Sequence, residues 1–215
     1  MVGGVRRLVG GVVALCVVGL GVGACGPSGG TEAASGVQSG VERQMSGEYI
    51  LNPDGTLSKV PVHVHEPQLQ SNAYTYSAFG AEQAAKHYLA LVAYGWETGD
   101  TQPMKDFATD ECSPCGHMAA EIDELYAAGG WSHGVKYRVD NVLHSEEVTT
   151  VEGVNNTIGV IAMVSTVGSD QYENSELTQT AEHIERLTFF MQWDESVRQW
   201  HVSDRKSTRL NSSHW

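Results

Sequence analysis

The sequence predicts an α+β domain in which helices come first and pack on one face of an antiparallel sheet of about four strands. Three observations predict it. Apolar residues recur with helical period between residues 81 and 96. After residue 131 the period turns toward two, with β-branched and aromatic runs. A short polar turn, Asp194-Glu195-Ser196, joins the last two of those runs, as an antiparallel hairpin requires.

The first helix is read from GAEQAAKHYLALVAYGWETGD. Ala81, Ala84, Ala85, Tyr88, Leu89, Val92 and Trp96 fall on one stripe, and Gly99 ends it. A short second helix is expected in TQPMKDFA, with Pro103 near its first turn. A third starts at Ser113 or Pro114, runs through HMAAEIDELYAA and stops at Gly129-Gly130. The strands are expected in VKYRVDNVLHSEEV, NTIGVIAMVSTVG, ERLTFFMQW and RQWHVS. Trp96, Trp131, Trp193 and Trp200 are expected to fill the core.

Neither end reads as part of this fold. Arg6 and Arg7 precede an apolar run from Leu8 to Val22, too short for a spanning helix and suited to a secretory signal over residues 1–24. Val22-Gly23-Ala24-Cys25 resembles the bacterial lipobox. That resemblance implies cleavage before Cys25, acyl chains of the palmitate type on Cys25, and a place on the outer face of the cell membrane, held by the lipid. Residues 25–70 are rich in Gly, Ser and Glu and are expected to form the lipidated cysteine and a flexible tether, leaving 71–203 as the globular domain. Asp204 to His214, back-translated, match a common sequencing adapter, so residues 204–215 are expected to be non-native.

The chain carries 13 basic and 26 acidic residues, a formal net charge of −13. Setting aside Arg6, Arg7, Arg205, Lys206 and Arg209 against Asp204 alone makes the balance more negative still. Such charge argues against nucleic acid as a partner and against adhesion to anionic headgroups.

Of 4 cysteines, Cys16 leaves with the signal and Cys25 is spent on lipid, so Cys112 and Cys115 remain as a pair in an oxidising compartment. A spacing of three at a helix start suits a structural disulfide. Thiol–disulfide exchange is the rival, since a helix N-terminus lowers a thiol pKa; Asp110 and Glu111 oppose a thiolate there. Haem attachment is disfavoured because Gly116 separates Cys115 from His117, and zinc because His117 and His133 lack a ligand spacing. No cofactor or metal is expected. His63, His65 and Glu66 are a weak metal grip by type, lying in the tether. Asn155 meets the glycosylation pattern by letters only.

The stretch from Gly80 to Cys115 and on to Trp131 resembles a family of uncharacterised actinobacterial lipoproteins. The shared features are the aromatic-bearing helix, Thr98-Gly99-Asp100-Thr101, the C-x-x-C and Gly129-Gly130-Trp131. The order of elements is more distantly similar to the ketosteroid-isomerase-like cone, which implies a curved sheet wrapped around a long helix and a pocket between them. Neither resemblance implies an activity. The favoured expectation is a non-enzymatic module that binds a protein partner or a small apolar ligand. The alternative is an enzyme with an acid–base pair in the cone, for which His87, Tyr88, Asp100, Tyr137, His144 and His201 are available by type.

Overall fold

Helix α1 (Ala78–Thr98) begins where the Ser77 hydroxyl accepts the Gly80 N–H at 3.0 Å, relieving a first-turn donor. It ends at Gly99, whose N–H reaches the Gly95 carbonyl at 2.8 Å with φ at +79°, a left-handed conformation suited to glycine. The seven stripe residues expected to face inward are all buried. The molecule is a computed structural model that describes residues 44–46, 49–150 and 153–209, all within one unit spanning residues 41–215. The signal segment, Cys16, Cys25, the residues after 209 and the side chain of Asn155 lie outside the described residues.

The other helices follow the expected signals. Helix α2 (Gln102–Asp106) carries Pro103 in its first turn, and α3 (Ser113–Ala127) starts at Ser113. The chain leaves α3 at Gly129, with φ at +80°, and the Gly130 N–H closes on the Leu125 carbonyl at 2.9 Å. The loop between α2 and α3 is tied to the sheet. Val202 donates its N–H to Phe107 O at 3.1 Å and accepts one from Thr109 at 2.9 Å.

The ten strands among the described residues, in chain order, are β1 (Gln44–Ser46), β2 (Tyr49–Leu51), β3 (Leu57–Lys59), β4 (Trp131–His133), β5 (Lys136–Thr150), β6 (Gly153–Val167), β7 (Ser169–Glu173), β8 (Glu176–Thr180), β9 (His183–Asp194) and β10 (Gln199–Arg209). The main sheet is antiparallel throughout, in the order β10-β9-β6-β5. Ile158, Val160, Ala162 and Val164 of β6 alternate inward, as do Leu187, Phe189, Met191 and Trp193 of β9. The register sets Val160 against Phe189 and Ala162 against Leu187, so the two apolar rows form one surface beneath α1. Three register shifts in β5 and one in β10 bend the sheet, because each bulge adds a local kink and twist.

Strands outnumber the expected four. Beyond the main sheet lie a β1-β2-β3 sheet and a β4-β7-β8 sheet. These added strands are three to five residues long and mostly polar, so their sequences carry no apolar alternation. The β7–β8 hairpin turns on Asn174 and Ser175, at φ +51° and +66°, the twist a two-residue hairpin prefers.

The tether boundary at residue 70 is corrected as well. Leu57 O accepts the Trp131 Nε1–H at 2.9 Å, and the Tyr49 and Trp131 rings sit 5.1 Å apart. Residues 49–70 therefore belong to the folded body. Their polar composition hides this, because they dock through a few anchors rather than through a periodic face.

Residues 204–209 continue β10 against β9, from the Asp204–Phe190 pair to Arg209–Glu185. That pairing uses backbone groups, which any non-proline sequence supplies.

Candidate functional site

The space directly between α1 and the sheet is filled. Where Ala85 and Leu89 face Val139, Val142, Val160, Ala162 and Phe189, only about 10 Å³ remains. Beneath it the Tyr88 ring meets Phe189 edge-on at 6.4 Å. A cavity of about 560 Å³ opens instead beside α1. Leu89, Ala90, Ala93 and Tyr94 of the helix form one wall, and residues 133–137 form another. The third wall is an extended segment from which Val62, Val64 and Pro67 line the space. Its size falls within the range of small-molecule sites.

One end of this cavity is a polar knot. Glu97 Oε1 lies 2.9 Å from His133 Nδ1 and 3.4 Å from Lys59 Nζ, while Oε2 accepts the Gly134 N–H at 2.9 Å. Lys59 also donates to Tyr126 Oη and to Ser132 O, each at 3.0 Å, and to the Glu97 carbonyl. Tyr126 in turn donates to Trp96 O at 2.8 Å. Burial by itself would raise the Glu97 pKa. The hydrogen bonds from His133 and Gly134, with the Lys59 charge, outweigh it and hold the carboxyl below its usual range. Both carboxylate oxygens are engaged, so the cluster ties the end of α1 to β3 and to the β4–β5 turn. It also sets a carboxylate–imidazole pair at the cavity edge.

Of the six acid–base candidates, only Tyr137 lines this cavity. Burial pushes its phenol pKa up. Tyr88 is fully buried, its hydroxyl lacks a hydrogen-bond partner among the described residues, and burial pushes its pKa up to about 12. His87 and His201 each neighbour the Phe107 ring, at 4.9 and 6.0 Å between ring centres, and burial lowers the His87 pKa. Asp100 accepts the Gln102 N–H ahead of α2, and His144 pairs with Glu146 at 3.0 Å on the exposed side of β5. The six do not converge.

His63 and His65 point away from the cavity while Val62 and Val64 line it, as alternation in an extended chain dictates. The two imidazoles lie 4.9 Å apart, and among the described residues no group of three ligand-type side chains gathers around a common point. Cys112 and Cys115 form a disulfide, with Cα atoms 5.2 Å apart, buried at the start of α3. The four expected core tryptophans are buried too.

Sequence reasoning missed Glu97 and Lys59 as site residues and gave His133 no partner. Glu97 sits on a helix flank, with Lys59 38 residues and His133 36 residues away in sequence. No local spacing signals such a meeting. The scarcity of lysine in so acidic a chain is the one signal that could have drawn attention to Lys59.

Among solved structures, the chain is similar to the intermembrane-space region of the chloroplast protein ARC6, at 12% identity and a TM-score of 0.46, covering 62% of this chain and 98% of that one. It is also similar to an uncharacterised protein with a cystatin-like fold from Caulobacter vibrioides, at 10% identity and a TM-score of 0.40, covering 62% and 92%. A third is an NTF2-like protein with a cystatin-like fold from Novosphingobium aromaticivorans, at 10% identity and a TM-score of 0.35, covering 63% and 86%. No curated protein sequence matches. A family model described as a family of unknown function, DUF6318, matches residues 53–206, which takes in the segment that walls the cavity. The chain belongs to this family, DUF6318.

Proposed function

We propose that this protein is an exported lipoprotein, held on the outer face of the cell membrane through Cys25, whose domain binds a small apolar ligand without chemical turnover. The observation that carries the binding reading is the cavity of about 560 Å³ beside α1, walled by Val62, Val64, Leu89, Ala90, Ala93 and Val135. The anchoring reading is supported by Arg6, Arg7, the apolar run and Val22-Gly23-Ala24-Cys25, and by the resemblance to actinobacterial lipoproteins. Mass spectrometry of protein extracted from membranes tests both. A lipid-sized mass on Cys25 and a co-purified apolar molecule are expected. An unmodified Cys25 overturns the anchor. A Ala93→Phe variant that keeps the co-purified molecule overturns the cavity as its site.

A second reading, an acid–base enzyme, is favoured by one observation: the Glu97–His133 pair at the cavity edge. Its test is proton exchange at the α-carbon of ketone probes. Exchange lost on His133→Asn in a folded variant supports it, and no exchange by the wild type ends it.

A further inference from the structure

We propose that the ligand is an amphipathic anion, an extended apolar chain whose carboxylate or phosphate head is drawn to the two lysines of the cavity lining, Lys86 and Lys136. This rests on the binding reading above and names the chemical class of the ligand.

The shape of the cavity argues for a chain. Its lining follows α1 from Lys86 to Glu97, a rise of about 16 Å along the helix axis. Between those ends the helix presents Leu89, Ala90 and Ala93, small or apolar groups that accommodate an elongated apolar body.

Charge argues for the anionic head. The chain has twice as many acidic as basic residues, 26 against 13, so carboxylates are plentiful. Lys59 is paired with Glu97, Lys105 with Asp123 at 2.6 Å, and Lys206 with Asp204 at 3.8 Å. Lys86 and Lys136 are the lysines that line the cavity, and neither has a carboxylate at ion-pair distance among the described residues. Two exposed ammonium groups, left unpaired beside an apolar space in an acidic protein, offer a local attraction for an anion. The Glu97 carboxylate does not cancel it, because Lys59 and the hydrogen bonds from His133 and Gly134 already compensate that charge.

The test compares cis-parinaric acid with its methyl ester, by fluorescence, on the delipidated full chain. The acid is expected to bind about tenfold tighter than the ester at low salt, the gain that two partly exposed ion pairs provide. That preference should vanish in Lys86→Gln/Lys136→Gln and shrink in about 0.5 M salt. Both probes should be lost from Ala93→Phe, with near-UV circular dichroism confirming that each variant is folded. Equal affinity for acid and ester in the wild type overturns the anionic head and leaves the apolar cavity standing. Failure of both probes to bind overturns the cavity reading with it. A preference for the acid that survives the double lysine substitution overturns the assignment of the head to Lys86 and Lys136.

Discussion

Glu97 Oε1 and His133 Nδ1 meet at 2.9 Å, joining the last turn of α1 to the strand that leads into β5. Because Glu97 is largely shielded and hydrogen-bonded, its carboxyl is held below its usual pKa. A lowered folded-state pKa stabilises the protein above the unfolded value, and that contribution is lost as pH falls through the folded value. The loss therefore belongs on the acid side, from about pH 4.5 downward. Glu97→Gln should cost about 2 kcal/mol at pH 7 and flatten the acid limb of the stability curve, as urea melts at several pH values would show. An unchanged acid limb would remove the knot from the account of stability.

The Cys112–Cys115 bond closes a loop of only four residues, for which chain entropy predicts about 2 kcal/mol. The residues are 2% and 4% exposed, so a substrate thiol has little access to the sulfurs. Replacing both cysteines by serine should lower the denaturation midpoint and leave probe binding in the cavity unchanged. The folded wild type should not accelerate the reduction of a disulfide substrate above the rate with dithiothreitol alone. Turnover there would restore the thiol–disulfide exchange reading.

Gly99 combines a φ of +79° with the Tyr126 ring lying 2.6 Å from where a Cβ would stand. Alanine at this position strains the backbone and displaces the ring that hydrogen-bonds Trp96 O and Lys59. Gly99→Ala should cost about 2 kcal/mol or more, read as a lowered melting temperature.

The Tyr88 hydroxyl is buried without a partner among the described residues, so Tyr88→Phe should be neutral or stabilising by about 1 kcal/mol at pH 7. Burial raises its folded pKa to about 12, above the ordinary phenol value of 10.0. The unfolded chain therefore loses the proton first, and the wild type should lose stability as pH rises from 10 toward 12. Phenylalanine cannot ionise, so the variant should be spared that part of the loss. A clear destabilisation at pH 7 would mean that the hydroxyl has a partner after all.

Much of the fold was legible because helix and strand periods are written by neighbours in the chain. The α1 stripe, the stops at Gly99 and Gly129, and the long strands of the main sheet all rest on residues within one or two turns or pleats of each other. The side strands were not legible. Short polar strands such as Glu176–Thr180 form because a partner strand supplies their hydrogen bonds, and their own residues do not announce it. The site was less legible still. His87, Tyr88, Asp100, Tyr137, His144 and His201 were candidates by type alone, and only Tyr137 reaches the cavity.

By itself the sequence determined the class of the fold, the order of its helices and of the long strands in its main sheet, the acidic balance of the chain and the pairing of Cys112 with Cys115. Each follows from local periodicity, composition or a spacing of three residues. Only the tertiary structure decided that residues 49–70 pack on the domain, that the interior beneath α1 is filled, and that a cavity lies beside it. It alone brought Lys59, Glu97 and His133 together, and among the described residues it left Lys86 and Lys136 without carboxylates at ion-pair distance. Meetings between residues dozens of positions apart are set by how whole elements dock, and no local pattern in the chain encodes that docking.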